Sequence, residues 1–308
     1  MLTAPMDVLR EFPVRKSKQR KQEFRDQVQD YVTGLGYAFH VENGSFGSRN
    51  MVIGDPARAE YLITAHYDTC AALPFPNLIT PESPVLLILW QLAILVLMLA
   101  VLFVEGLVLH TLFHNGDLTF WAGEFTLFAM LILMLVGPAN RSNANDNTSG
   151  VVTVLEILKT MPENQRDKVC FLLFDLEEAG LIGSASYAKA HKAEIQNQLV
   201  LNLDCVGDGD VIRFYPTKGL KKDEKRLSRL DRCCGVFGRK SVSVRKTGFG
   251  FYPSDQKNFP LGVGICALRK NKLGLYLSRI HTRRDTVLEI TNVNILRAAI
   301  ITMATAVQ

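Results

Sequence analysis

Between Val85 and Val136 the chain carries no Lys or Arg, and this stretch constrains the fold more than any other feature. Val85 to Val104 (VLLILWQLAILVLMLAVLFV) has Gln91 as its only strongly polar side chain. About 20 residues at ~1.5 Å each cross a ~30 Å hydrocarbon core. Leu118 to Val136 (LTFWAGEFTLFAMLILMLV) is almost as long and carries one acid, Glu124. The two runs read as a transmembrane helical hairpin with a short turn, His114-Asn115-Gly116-Asp117. A buried lid of two helices in a soluble protein would instead present polar stripes to solvent, and neither run has one. Elsewhere the composition is ordinary. The 308 residues are 48% hydrophobic and 21% charged, which excludes a disordered or fibrous chain.

The flanks speak to compartment. Arg10, Arg15, Lys16, Lys18, Arg20, Lys21 and Arg25 crowd the first 30 residues with no apolar run behind them, so no secretory signal is expected. Two spans return the chain to its starting side. Retention of basic segments then predicts an integral membrane protein with both flanks cytoplasmic and the hairpin turn across the bilayer. The net charge of +5 fits contact with anionic head groups, and equally a solvated basic surface. Six cysteines without a CxxC pair fit reduced thiols.

Outside the hairpin, short apolar runs alternate with helical periodicity. Helices are expected over Ser17–Leu35, from Ser149, from Glu178, over Asp223–Phe237 and over Thr291–Ala306. Strands are expected over Tyr37–Glu42, Met51–Ile53, Tyr61–Ala65, Val169–Phe174, Leu199–Leu203 and Gly262–Leu268. Such alternation predicts an α/β domain with a mostly parallel central sheet flanked by helices. The catalytic domain is then residues 1–71 and 141–308. Residues 72–140 form an insert, opening with a segment in which Pro74, Pro76, Pro81 and Pro84 stop any helix before the first span (85–104; the second is 118–136).

Functional groups of such sheets gather where strands run out into loops. Here those positions hold His66-Tyr67-Asp68, Asp175-Leu176-Glu177-Glu178 and Asp204, with Asn145-Asp146-Asn147 after the hairpin and His281 before the last helix. Each has an ordinary reading as a turn, a helix-start acid or a surface histidine. Five in succession point to a metal site, because imidazole and carboxylate are the ligands of catalytic zinc and a carboxylate can bridge two ions.

The runs AHYDT, NDNTSG, FDLEEAGLIGS, LNLD and HTRRDT, in this order, resemble the zinc-dependent aminopeptidases of metallopeptidase family twenty-eight, and PSDQKNFPLGVGICAL is similar to the same family. The resemblance implies a zinc exopeptidase-like fold and two Zn²⁺ ions, with His66 and Asp204 on one, Glu178 and His281 on the other, and Asp146 between them. It implies Glu177 as general base and Asp68 orienting His66 by a hydrogen bond. It also implies a cis peptide at Asp146-Asn147 and peptide substrates cut at a free N-terminus.

Three features depart from that family: the missing signal, the ~80 residues between His66 and Asp146, and Ser254-Asp255-Gln256 where the family has a His in third place. Cys70 and Cys205 beside the ligands read as packing, His110 and His114 as interfacial, and Tyr252 and Phe259 as walls of a substrate pocket. Two other functions stay open: a glutaminyl cyclase-like acyltransferase with one zinc, against which Ile280 stands where those cyclases place an indole, and a non-enzymatic membrane scaffold. The expected partners are peptides and the lipid bilayer, with no nucleic acid and an unspecified oligomeric state. Because the insert lies between His66 and Asp146, the hairpin is expected to emerge beside the site and turn it toward the bilayer.

Overall fold

The computed structural model describes residues 2–73, 75 and 77–306 of the chain; Pro74 and Pro76, two of the helix-stopping prolines above, lie outside the described residues. The strands are β1 (Phe39–Asn43), β2 (Arg49–Ile53), β3 (Tyr61–His66), β4 (Val169–Phe174), β5 (Leu199–Leu203), β6 (Val211–Pro216), β7 (Gly235–Phe237), β8 (Lys240–Val244), β9 (Gly262–Asn271) and β10 (Gly274–Tyr276). The helices are α1 (Asp7–Glu11), α2 (Lys18–Gly34), α3 (Pro84–Phe113), α4 (Gly116–Val136), α5 (Gly150–Thr160), α6 (Ile182–Ala190), α7 (Glu224–Asp231) and α8 (Ile290–Thr305).

All but β10 form one sheet path in the order β1-β2-β4-β3-β5-β9-β6-β8-β7, and β10 pairs with β9. The sheet is mixed rather than purely parallel. Its centre, β4-β3-β5-β9, is parallel, but β1-β2-β4 on one side and β9-β6 on the other pair antiparallel. Beyond β9 lie β6 and β8, parallel to each other, with β7 antiparallel at the edge; short, half-polar runs such as VIRFYP and KSVSV did not announce β6 and β8. The expected helix over Asp223–Phe237 stops at Asp231, where Cys233-Cys234-Gly235 turns the chain into β7.

Alternation along the central strands sorts the core into two layers. Ile63 and Ala65, Phe171 and Leu173, and Leu201 and Leu203 pack with residues of α2, α5 and α8. On the other face Leu62, Leu172, Phe174 and Val200 meet Tyr187 of α6 and Phe259. Burial on both faces explains why these strands read as continuous apolar runs.

The hairpin stands apart, with no buried residue in α3 or α4. Each helix is long and apolar enough to cross a membrane. Ser83 caps α3 by accepting from the Leu86 amide, and Asn115 caps α4 by accepting from Leu118. The first helix continues nine residues past Val104, to Phe113, because neither Glu105 nor Gly106 interrupts it. Thr126 Oγ1 donates to Glu105 at 2.8 Å, giving that carboxylate a partner within the hairpin. The turn is shorter than expected, with His114 in the left-handed region (φ 48°).

Several residues of the basic N-terminal run turn inward rather than to solvent. Arg15, Lys21 and Arg25 are buried. Lys21 pairs with Asp175 at 2.6 Å and Arg25 donates to the Tyr67 hydroxyl at 2.7 Å.

Candidate metal centre

Parallel strands deliver their C-terminal ends to one edge of the sheet, and the candidate residues sit there. His66 ends β3, Glu177 and Glu178 follow β4, and Asp204 follows β5. Asp146 comes from the distorted turn over Ala144–Ser149 before α5, and its peptide bond to Asn147 is cis, as the resemblance implied. His281, at φ 60°, comes from the loop after β10.

These side chains converge. His66 Nε2 lies 3.2 Å from Asp146 Oδ1 and 3.6 Å from Asp204 Oδ1. His281 Nε2 lies 3.0 Å from Asp146 Oδ2 and 3.2 Å from Glu178 Oε2. The two oxygens of Asp146 therefore point at different histidines. Metal-capable groupings form around His66, Glu177 and Asp204 and around His66, Asp146 and Glu178, with donor atoms within 4.8 Å of one another. Cys70 and Cys205 reach the same cluster. Burial, with the neighbouring carboxylates added, pushes both thiols up.

The donor set suits zinc. Imidazole nitrogens and carboxylate oxygens meet in a buried space, and Asp204 Oδ1 and Glu178 Oε1 are buried without a hydrogen-bond partner. Carboxylates this close repel unless a cation lies among them. The cost shows in their protonation. Burial pushes Glu178 up to about 8 and Glu177 well above the usual range, the latter with repulsion from Asp255 and Glu178 added. For His281, burial opposes the charged ring, but Glu178 and Asp146 outweigh it and raise it to about 9.

Helix α6 starts at Ile182, not at Glu178, and this shift shapes the centre. Leu176 and Leu181 take positive φ (57° and 61°) and Gly180 takes φ 109°, so the two glutamates lie on a tight turn. The Asp68 carboxylate holds that turn, accepting from the amides of Glu177 (3.0 Å) and Glu178 (3.2 Å). His66 Nδ1 is 3.2 Å from the Asp68 carbonyl oxygen and 3.6 Å from its carboxylate, so the nearer orienting group is the main chain.

Asparagines brace the other side. Asn147 Nδ2 donates to the Leu203 carbonyl (3.0 Å), and its Oδ1 accepts from Gly150 (3.0 Å) and Cys205 (3.3 Å). Asn145 Oδ1 accepts from Gly207 and Asp208.

Two contributors escaped the sequence reading. Asp285 accepts from the amides of Asn145 (2.7 Å) and Asp146 (2.9 Å), fixing the segment that aims Asp146. Its place in HTRRDT was the only signal. Arg15 donates to the carbonyl of Tyr67, next to His66, and to Thr148 Oγ1, close to Asp146. Nothing in a basic N-terminal run distinguishes it from its solvated neighbours.

Gln256 is committed to the scaffold. It donates to the Tyr252 carbonyl (2.6 Å) and accepts from Asn202 (3.1 Å). Beside it, a cavity of 670 Å³ is lined by Tyr215, Tyr252, Phe259 and Pro260, among others. The Tyr252 hydroxyl donates to the Asp204 carbonyl at 3.1 Å, linking that wall to the cluster. At the hairpin root the Leu73 amide donates to the His281 carbonyl at 2.8 Å and Ala71 bridges to Ala139, while just before α3 the Pro81 carbonyl accepts from the Phe251 amide of the cavity wall at 2.8 Å.

The fold is shared with solved zinc exopeptidases. A Zn-dependent exopeptidase from Parabacteroides distasonis is 13% identical, covering 96% of this chain and 93% of that one at a TM-score of 0.60. The LapA aminopeptidase of Legionella pneumophila is 14% identical over 99% of this chain and 70% of that one, at 0.57. Tannerella forsythia glutaminyl cyclase has the same architecture, with 13% identity, 99% and 98% coverage and a TM-score of 0.61. No curated protein matches the chain. The α/β fold is thus the one shared by these zinc exopeptidase and glutaminyl cyclase structures. The chain belongs to Peptidase family M28, whose family model matches residues 133–306, the part that contains Asp146, Glu177, Glu178, Asp204 and His281.

Proposed function

We propose that the chain is a membrane-anchored exopeptidase that holds two zinc ions and removes N-terminal residues from peptides. The observation that carries this reading is the placement of Asp146, one oxygen 3.2 Å from His66 and the other 3.0 Å from His281. A carboxylate so divided suits a bridge, with His66 and Asp204 holding one ion and Glu178 and His281 the other. Zinc bound there would polarise a scissile carbonyl and lower the pKa of water.

The remaining chemistry falls to the protein. Glu177 shares the space of His66 and Asp204, and burial raises its proton affinity, which suits a group that accepts a proton from the attacking water and returns it to the leaving amine. Asp68 positions both glutamates through their amides. The Tyr252 and Phe259 cavity is the expected seat of the N-terminal side chain. The apolar hairpin anchors the domain, and the exposed Arg10, Lys18 and Arg20 favour a cytoplasmic site.

Paired variants test the roles. Glu177→Gln should lower turnover by about 10² to 10⁴-fold with both ions retained, whereas Glu178→Gln should weaken metal binding. An active Glu177→Gln enzyme would overturn the assignment. One ion per chain, with cyclisation of N-terminal glutamine instead of hydrolysis, would replace this function by that of a glutaminyl cyclase.

A further inference from the structure

Where α4 leaves the catalytic domain, two cavities meet. One, of 450 Å³, is lined on its polar side by Ser278, Thr282, Arg283 and Arg284. The other, of 320 Å³, runs up the hairpin between Met98, Met130, Leu133 and Met134. Both include Ala72, Phe75 and Pro138, so they form one cleft, charged at the domain end and apolar at the hairpin end.

We infer that this cleft binds an anionic phospholipid of the leaflet against the catalytic domain, with its phosphate at Arg283 and Arg284 and an acyl chain along the three methionines. The inference rests on the membrane-anchored reading above. Neither guanidinium has an ion pair or side-chain hydrogen bond among the described residues, and both are exposed. Adjacent arginines offer rigid donor forks matched to phosphate oxygens, and flexible thioether side chains adapt to a disordered alkyl chain.

The surrounding charge agrees. Lys16 Nζ donates to the Leu135 carbonyl (2.9 Å) at the C-terminal end of α4, and Arg141 is exposed next to the root. Acids around the root are otherwise placed: Asp285, next to Arg284, is buried and accepts from the Asn145 and Asp146 amides, Glu82 faces Arg213 and Arg245, and Glu11 lines a separate cavity with Arg10, Arg20 and Arg141. An acidic peptide could engage the arginines but would leave the methionine wall uncovered. A single amphiphile satisfies both ends, at the height where α4 enters apolar surroundings.

The test uses the full chain reconstituted in phosphatidylcholine vesicles doped with phosphatidylglycerol that bears a photoreactive diazirine on its acyl chain. Peptide mapping after irradiation should concentrate adducts on Met98 and the 130–134 turn. The Arg283→Glu/Arg284→Glu variant should lose those adducts by about tenfold or more while labelling elsewhere on α3 and α4 persists, which shows that it is folded and inserted. Equal labelling by a photoreactive phosphatidylcholine, adducts spread evenly along both helices, or displacement by an acidic peptide would overturn the lipid site. Release of the protein by alkaline carbonate would overturn the anchor reading as well, so the two failures are distinguishable.

Discussion

Replacing Arg15 should damage the centre without touching a candidate ligand. The side chain is fully buried, and its guanidinium donates to the carbonyls of Tyr67 (2.5 Å) and Phe12 (2.6 Å) and to Thr148 Oγ1 (3.2 Å). Burial lowers its pKa to about 10, but Asp68 and Asp146 support the charge, so it is a cation at neutral pH. Arg15→Met fills much of the volume but orphans the buried Tyr67 carbonyl, costing ~1–3 kcal/mol, and the part-buried Phe12 carbonyl at a smaller cost, beyond the loss of positive charge near two carboxylates. The expected destabilisation is about 3–5 kcal/mol, a large share of the ~5–15 kcal/mol typical of a domain. Arg15→Lys keeps the charge and loses the fork, so it should fall between. Because Tyr67 follows His66 and Thr148 lies two residues from Asp146, zinc affinity should fall as well, by about 10- to 100-fold. Denaturation midpoints in detergent, read by intrinsic fluorescence, and zinc competition against a fluorescent chelator measure the two effects. If Arg15→Met lies within ~0.5 kcal/mol of the parent and binds zinc equally well, the buried fork is not what joins these segments.

Three further outcomes follow from the geometry. Asp285→Ala leaves the Asn145 and Asp146 amides without their acceptor and should weaken zinc binding by about 10- to 100-fold in the same competition assay; an unchanged affinity would contradict its positioning role. Gly150→Ala would put a Cβ 2.3 Å from both the Leu203 carbonyl oxygen and Asn147 Oδ1, so a loss of about 1–3 kcal/mol or more is expected in the unfolding midpoint, and a neutral result would contradict that packing. Replacing residues 85–136 by a Gly/Ser linker should give a soluble protein that cleaves small aminoacyl amides but not lipid-tethered peptides. Met98 and Met134 line one cavity, so the root of α3 lies ~17 Å below that of α4 and the linker needs about six residues or more; loss of the small-substrate activity too would mean that the hairpin does more than anchor and present substrate.

The candidate centre could be sought in the sequence because its residues sit at strand ends, which a sequence marks by an apolar run giving way to His, Asp or Glu. His66, Glu177, Glu178 and Asp204 were placed by that rule, and the hairpin by length and the absence of charge. The reading failed where a residue's role depends on which way the backbone turns. Glu178 looked like a helix start, but positive φ at Leu176, Gly180 and Leu181 holds both glutamates on a turn. Arg15, Lys21 and Arg25 looked like a solvated basic run, yet their partners lie up to 154 residues away in the chain. The side of the sheet beyond β9 was missed because β6 and β8 keep polar residues on one half-exposed face, leaving no continuous apolar run.

The most direct measurement counts metal and turnover together on the full chain in detergent, using aminoacyl reporter amides with free and acetylated N-termini. Two zinc ions per chain should be found, turnover should vanish with a chelator and return with zinc, and only the free amine should be cleaved. A chain that binds one ion, or that holds two and cleaves no free-amine reporter, would contradict a di-zinc aminopeptidase.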